Sequence, residues 1–177
     1  DSDESRGLGD VYKRQPFFNP GKADFGLPKI YLAGVGPVMT QVAGEVADGL
    51  LVHPFHTAQS MKNITLPSVK KGNLNSLNDG FEISVGVMIA SSNDQDSLDQ
   101  AINGLRSQIA FYGSTPAYKI VLEQHGWEHI HVELNRLSKK GSWNDMPTLI
   151  SDEILETVGV VGNCLLYTSD AADDPAS

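Results

Sequence analysis

The sequence is poor in the residues that several function classes require. Only one of its 177 residues is cysteine, which excludes an internal disulfide framework and a thiolate zinc cluster. Lys and Arg number 13 against 22 Asp and Glu, for a formal net charge of −9. That balance opposes nonspecific nucleic-acid binding, which depends on cations neutralising phosphates, so no nucleic-acid partner is expected. No apolar run approaches the ~20 residues of a bilayer span, and the opening DSDESRGLGD is polar and acidic where a secretory signal would be basic and then apolar. The expectation is a cytoplasmic protein with no membrane partner. What remains, 40% hydrophobic residues and a mean hydropathy of −0.20, suits one domain with a real core.

Both ends read as non-native. SRGLGDVYKRQ, residues 5–15, resembles the conceptual translation of a transposon-end sequencing adapter, because GAT GTG TAT AAG AGA CAG encodes D-V-Y-K-R-Q. The other end matches the complementary strand, which read in codons gives CLLYTSDAAD, residues 164–173. Residues 1–15 and 164–177 are therefore set aside as adapter-derived, and Cys164 is assigned no redox, catalytic or metal role. Residues 16–163 are the segment to interpret.

That segment opens on PFFNPGKADFGL, residues 16–27, whose Pro, Gly, Asn and rings suit a surface loop packed by its own aromatics. Ile30, Tyr31, Leu32 and Ala33 form a short apolar run suited to a strand buried in a parallel sheet. A glycine turn follows, then a helix with Pro37 at its first position and Met39, Val42, Ala43 and Val46 at the helical period. Asp48-Gly49 stops it, and Leu50, Leu51 and Val52 give a second strand ending at His53-Pro54. From Thr57, a predicted N-cap, a helix runs to about Lys71 with a kink or restart forced by Pro67. Residues 81–90, FEISVGVMIA, read as one third strand. Asp94 or Asp96 opens a helix carrying Leu98, Ala101, Ile102, Leu105 and Ile109, with Gly113 as its expected C-cap. Thr115-Pro116 starts another, Gly126, Gly141 and Ser151 punctuate further short helices, and the apolar run Val158-Gly159-Val160-Val161 lacks a continuation. Strands alternating with helices predict α/β architecture with parallel strands, in a barrel or an open sheet.

Residues 28–54, PKIYLAGVGPVMTQVAGEVADGLLVHP, closely resemble the strand, glycine turn and helix of the luciferase-like flavin and deazaflavin oxidoreductases, P-x-Y-x-A-x-x-G-P followed by a-G-E-x-A-D-G. The similarity continues through PFFNP, FYGSTPAY, HGW and DEILET. It implies the later strands of a (β/α)8 TIM barrel, a partial domain, since the whole barrel takes ~250 residues. It also implies an F420-dependent oxidoreductase that moves a hydride between the deazaflavin and a small organic substrate, acting as a homodimer. FMN in a luciferase-like monooxygenase is the alternative, and a noncatalytic cofactor-binding relative or a nonfunctional fragment is the reading from another class. By the same resemblance the catalytic acid and base belong to the missing N-terminal half, so none is named here.

The glycine turn has its own physics. Gly34 and Gly36 flank Val35 just past a strand, so the backbone can turn sharply and approach a ligand closely. Free amides of Val38 and Met39 at a helix N-terminus favour an anion without any Lys or Arg. In relatives this turn meets the cofactor's phosphate side, which places Val35, Gly36, Val38 and Met39 at the matching positions. His53 and His56 leave the second strand at its C-terminal end, where barrel sites are assembled. The resemblance assigns them to substrate, with His56 standing where sugar-phosphate-oxidising relatives carry lysine, so that substrate does not carry over. The bland reading makes them loop histidines bonded to backbone. Glu45 and Asp48 read as structural charges, and His125, His129, His131, Trp127 and Trp143 as solvated or packing residues. No metal site is expected.

Overall fold

The computed structural model describes residues 28–76 and 80–163. The two ends expected to be non-native and the aromatic loop 16–27 lie outside the described residues.

Strand β1 (Tyr31–Gly34), helix α1 (Gly36–Val46) and strand β2 (Gly49–Val52) follow the apolar runs and the glycine turn between them. β1 pairs parallel with β2, and β2 pairs parallel with β3 (Glu82–Val85), setting Leu32, Leu50 and Ile83 abreast on one face. That face packs on α1 and α3 (Leu66–Ser76) through Ala43, Leu50 and Val69. Asp48 ties the start of the sheet together, because its carboxylate accepts from the Ile30 amide at 2.8 Å while its own amide donates to the Ile30 carbonyl. Its role is structural, as the sequence indicated.

The helical period placed Met39 and Val46 in the core, yet they are 48% and 70% exposed. The buried stripe is Thr40, Ala43, Gly44 and Ala47. Small residues are needed there because a Cβ at Gly44 would lie 2.6 Å from the Val69 carbonyl oxygen, and one at Gly72 2.0 Å from that of Gln41. The two helices touch backbone to backbone, which displaces the larger side chains to the outside.

Thr57 caps α2 (Ala58–Ser60) in a reciprocal pair, its hydroxyl accepting from the Ser60 amide and the Ser60 hydroxyl from the Thr57 amide. A π-helical turn, Met61–Thr65, then precedes Pro67, and α3 restarts at Leu66. The expected interruption is this widened turn, which suits a ring that cannot donate to the residue four back.

Residues 81–90 do not form one strand. β3 ends at Val85, and β4 (Met88–Ser92) resumes after Gly86 and Val87, where Gly86 packs on the Pro54 ring. The two halves serve different partners: β4 pairs parallel with β5 (Gly159–Asn163), the apolar run that lacked a continuation in the sequence reading. Among the described residues there are thus five strands where three were counted from sequence.

Helix α4 (Gln95–Gly113), capped by Asp94 through the Ser97 amide, buries Leu105 and Ile109 as expected. Gly113 is its last helical residue rather than its cap. A Cβ there would press on Leu134 at 3.0 Å, so close packing, not positive φ, selects glycine. A 3-10 turn, Pro116–Tyr118, leads into α5 (Lys119–Glu123), then come α6 (Glu128–Lys140), a second 3-10 turn, Met146–Leu149, and α7 (Asp152–Val158). Gly126 and Gly141 hold φ of 73° and 74°, as their punctuating positions require. His131 on α6 is buried and donates from Nδ1 to the Gly113 carbonyl at 2.7 Å, while Asn135 serves that of Ser114. Both side chains satisfy carbonyls at the end of α4, a packing role. Among the described residues, no helix is long and apolar enough to cross a membrane.

Candidate functional site at the strand C-terminal ends

The turn after β1 and the loop after β2 open on one small cleft of about 30 Å³, lined by Gly34, Val35, Gly36, His53 and His56, together with Ile64 and Thr65 of the π turn and Ile120 of α5. Chain topology causes this meeting: parallel neighbours bring their C-terminal ends to the same edge of the sheet.

The two glycines of the turn do different work. Gly34 is pressed by Leu50 and by the Met39 carbonyl group at 3.3–3.4 Å from a would-be Cβ, so it lets α1 sit down on the strand. Gly36 holds φ of 76°, and a Cβ there would enter open space. The Thr40 hydroxyl, buried, donates to the Gly36 carbonyl at 2.7 Å and fixes the turn from below. α1 has no side-chain cap on Val35 and no acidic residue in its first turn. Pro37 has no N–H, so the first turn carries the amides of Gly36, Val38 and Met39. The Val38 side chain is 71% exposed, and neither Val38 nor Met39 lines the cleft.

Both histidines have one ring nitrogen committed to backbone. The Phe55 amide donates to His53 Nδ1 at 3.1 Å. His56 Nδ1 donates to the His53 carbonyl at 3.0 Å. The His53 ring lies between Tyr118, stacked at 4.5 Å, and Tyr112, edge-on at 4.6 Å. Sequence reasoning missed these two tyrosines as site residues; the available signal was their placement on either side of the Gly-Ser-Thr-Pro turn. It also placed His125 away from the strand ends, whereas its Nε2 lies 2.9 Å from the Thr57 hydroxyl and its ring stacks on Trp127. His129 is exposed and takes no part. Among the described residues, no group of three His, Cys, Asp or Glu could hold a metal.

Burial, and then the charge of His56, hold the His53 pKa below the ordinary histidine value of about 6.5. A lowered folded value means that the unfolded chain takes the proton first. The contribution to stability is complete above about pH 6.5 and is lost as pH falls through the folded value. The urea midpoint should therefore drop between pH 7 and pH 5 by more in the parent than in His53→Asn, whose side-chain carbonyl can accept from the same amide without titrating. Equal slopes in the two proteins would remove His53 as the cause.

The luciferase-like monooxygenase family model matches residues 3–164. An uncharacterized protein of Mycobacterium tuberculosis is 46% identical over 149 residues, 83% of this chain and 44% of that one. The 5,10-methylenetetrahydromethanopterin reductase of Archaeoglobus fulgidus is 31% identical over 166 residues, 87% of this chain and 46% of that one. Among solved structures, the coenzyme F420-dependent tetrahydromethanopterin reductase of Methanopyrus kandleri superposes with a TM-score of 0.62 at 22% identity, covering 76% of this chain and 38% of that one. The chain spans slightly less than half the length of the curated relatives it matches.

Proposed function

Because the chain belongs to the luciferase-like monooxygenase family and carries a partial (β/α)8 barrel, we propose that it is the cofactor-phosphate half of a cytoplasmic F420-dependent oxidoreductase acting on a small organic substrate. The observation that carries this reading is Gly36: a left-handed residue at an uncapped helix N-terminus, open where a side chain would stand. That vacancy lets a phosphate approach the amides of Gly36 and Val38, with Val35 extended beside it. Two relatives named above support F420 as the owner of the phosphate, one a coenzyme F420-dependent tetrahydromethanopterin reductase and the other a 5,10-methylenetetrahydromethanopterin reductase. When bound, the deazaflavin supplies hydride acceptance and donation. The chain's own residues hold the phosphate end through backbone and, at His53 and His56, present ring nitrogens toward the substrate side.

The test is fluorescence titration of F420, with FMN in parallel, on a protein extended to the relatives' full length. Gly36→Asn suits the test, because Asn tolerates positive φ while its side chain enters the opening. F420 affinity should fall about tenfold or more, equivalent to ~1.4 kcal/mol. His56→Ala should leave it nearly unchanged while altering turnover. Parent-like F420 binding by a folded Gly36→Asn would reduce the turn to a structural one. Tighter binding of FMN than of F420 by the parent would exchange the cofactor.

A further inference from the structure

His53 and His56 are bonded in opposite senses. The Phe55 amide can only donate, so His53 Nδ1 carries the lone pair and its proton sits on Nε2. The His53 carbonyl can only accept, so His56 Nδ1 carries the proton and, in the neutral ring, Nε2 carries the lone pair. Among the described residues neither Nε2 has a partner, and no buried side-chain nitrogen or oxygen lacks one. With respect to the described residues neither Nε2 is buried, and both residues line the same cleft. Backbone contacts thus fix a donor and an acceptor three residues apart.

We propose that this pair forms a hydroxyl-recognition subsite: His53 Nε2–H donates to the oxygen of a substrate alcohol, and His56 Nε2 accepts its proton-bearing side. A hydroxyl is the simplest organic group that both accepts and donates at one atom, and a ketone or an ether can satisfy only His53. Tyr118 is a positioning residue, since its ring covers His53 at 4.5 Å and 26° and keeps the imidazole on the Phe55 amide. The burial that lowers the His53 pKa keeps this ring neutral near pH 7. The inference specifies the substrate class within the function proposed above and rests on that reading for the reaction the alcohol would undergo, but not for the tautomers.

The experiment is long-range proton–nitrogen NMR of the imidazoles in the 177-residue chain at pH 7.5. Protonated Nε2 on His53 and protonated Nδ1 on His56 are expected; the same tautomer on both overturns the proposal. Tyr118→Phe should preserve the His53 signature, and Tyr118→Ala should relax it toward the mixture of free histidine. If Tyr118→Ala leaves it unchanged while the amide spectrum stays dispersed, Tyr118 is not the positioning residue. 2-Propanol, added as the probe, should shift both Nε2 signals with one half-saturation. Its methyl ether should shift His53 alone, with a half-saturation about tenfold higher for want of the second hydrogen bond. Equal response to alcohol and ether, or no response to either, rejects the hydroxyl subsite. Loss of F420 binding in the separate titration would reject the cofactor reading instead, and the two failures are read on different signals.

Discussion

Gly72→Ala will destabilise the chain by about 3 kcal/mol, at the upper end of what overpacking costs, and lower its melting temperature by roughly 10 °C. The added methyl would lie 2.0 Å from the Gln41 carbonyl oxygen and 3.1 Å from the Glu45 nitrogen. Those atoms are helix backbone, so no rotamer change relieves the contact, and α3 must move away from α1 as a unit. Separation opens the small cluster of Ala43, Leu50 and Val69 that covers the outer face of β1, β2 and β3. The control is Gly104→Ala on α4, where a Cβ meets nothing within 4 Å in an exposed helix interior. That change should stabilise by about 0.5 to 1 kcal/mol. Thermal unfolding by circular dichroism gives both values. If Gly72→Ala melts within a degree or two of the parent, the backbone-to-backbone contact is not present.

Phe55→Ala should cost about 3 to 5 kcal/mol. Phe55 is 2% exposed and leaves the loop after β2 to pack near Tyr112, Tyr118 and Gly113. Among the described residues it is the one buried member of the larger core cluster that precedes Met88, so it is the peg joining the first sheet to the helices that follow β4. Its removal leaves a void under the two tyrosines that hold His53. Phe55→Leu, which keeps most of the volume, should lose less than half as much. Urea unfolding measures the series, and a Phe55→Ala cost below about 1 kcal/mol would show that the two halves are joined elsewhere.

The elements with strong local signals were readable in the sequence. β1 and β2 are continuous apolar runs bounded by Pro28, a glycine turn and Asp48-Gly49, and Thr57, Asp94 and Ser151 cap helices as their side chains predict. What was not readable depends on distant partners. β5 looks like a tail until β4, some seventy residues earlier, supplies its ladder. The break at Gly86 arises because the two sides of residues 81–90 answer to different strands, which composition cannot reveal. Met39 and Val46 were misplaced because periodicity weighs hydrophobicity, whereas the approach of α3 selects for small size. At the site, the glycine turn and both histidines were legible by position. The bonding sense of each imidazole was not, because it depends on which backbone group the fold brings to the ring.

The π-helical turn at Met61–Thr65 contributes Ile64 and Thr65 to the cleft, and this makes the cleft's shape a matter of residue count. A π turn is one residue wider than an α turn, so deleting a single residue within it can be absorbed as regular helix with little loss of hydrogen bonding. The deletion would rotate everything before it by about 100° relative to α3. Loop-length variation between otherwise similar chains at this one point would therefore reshape the cleft that the histidines line with no side chain there being replaced.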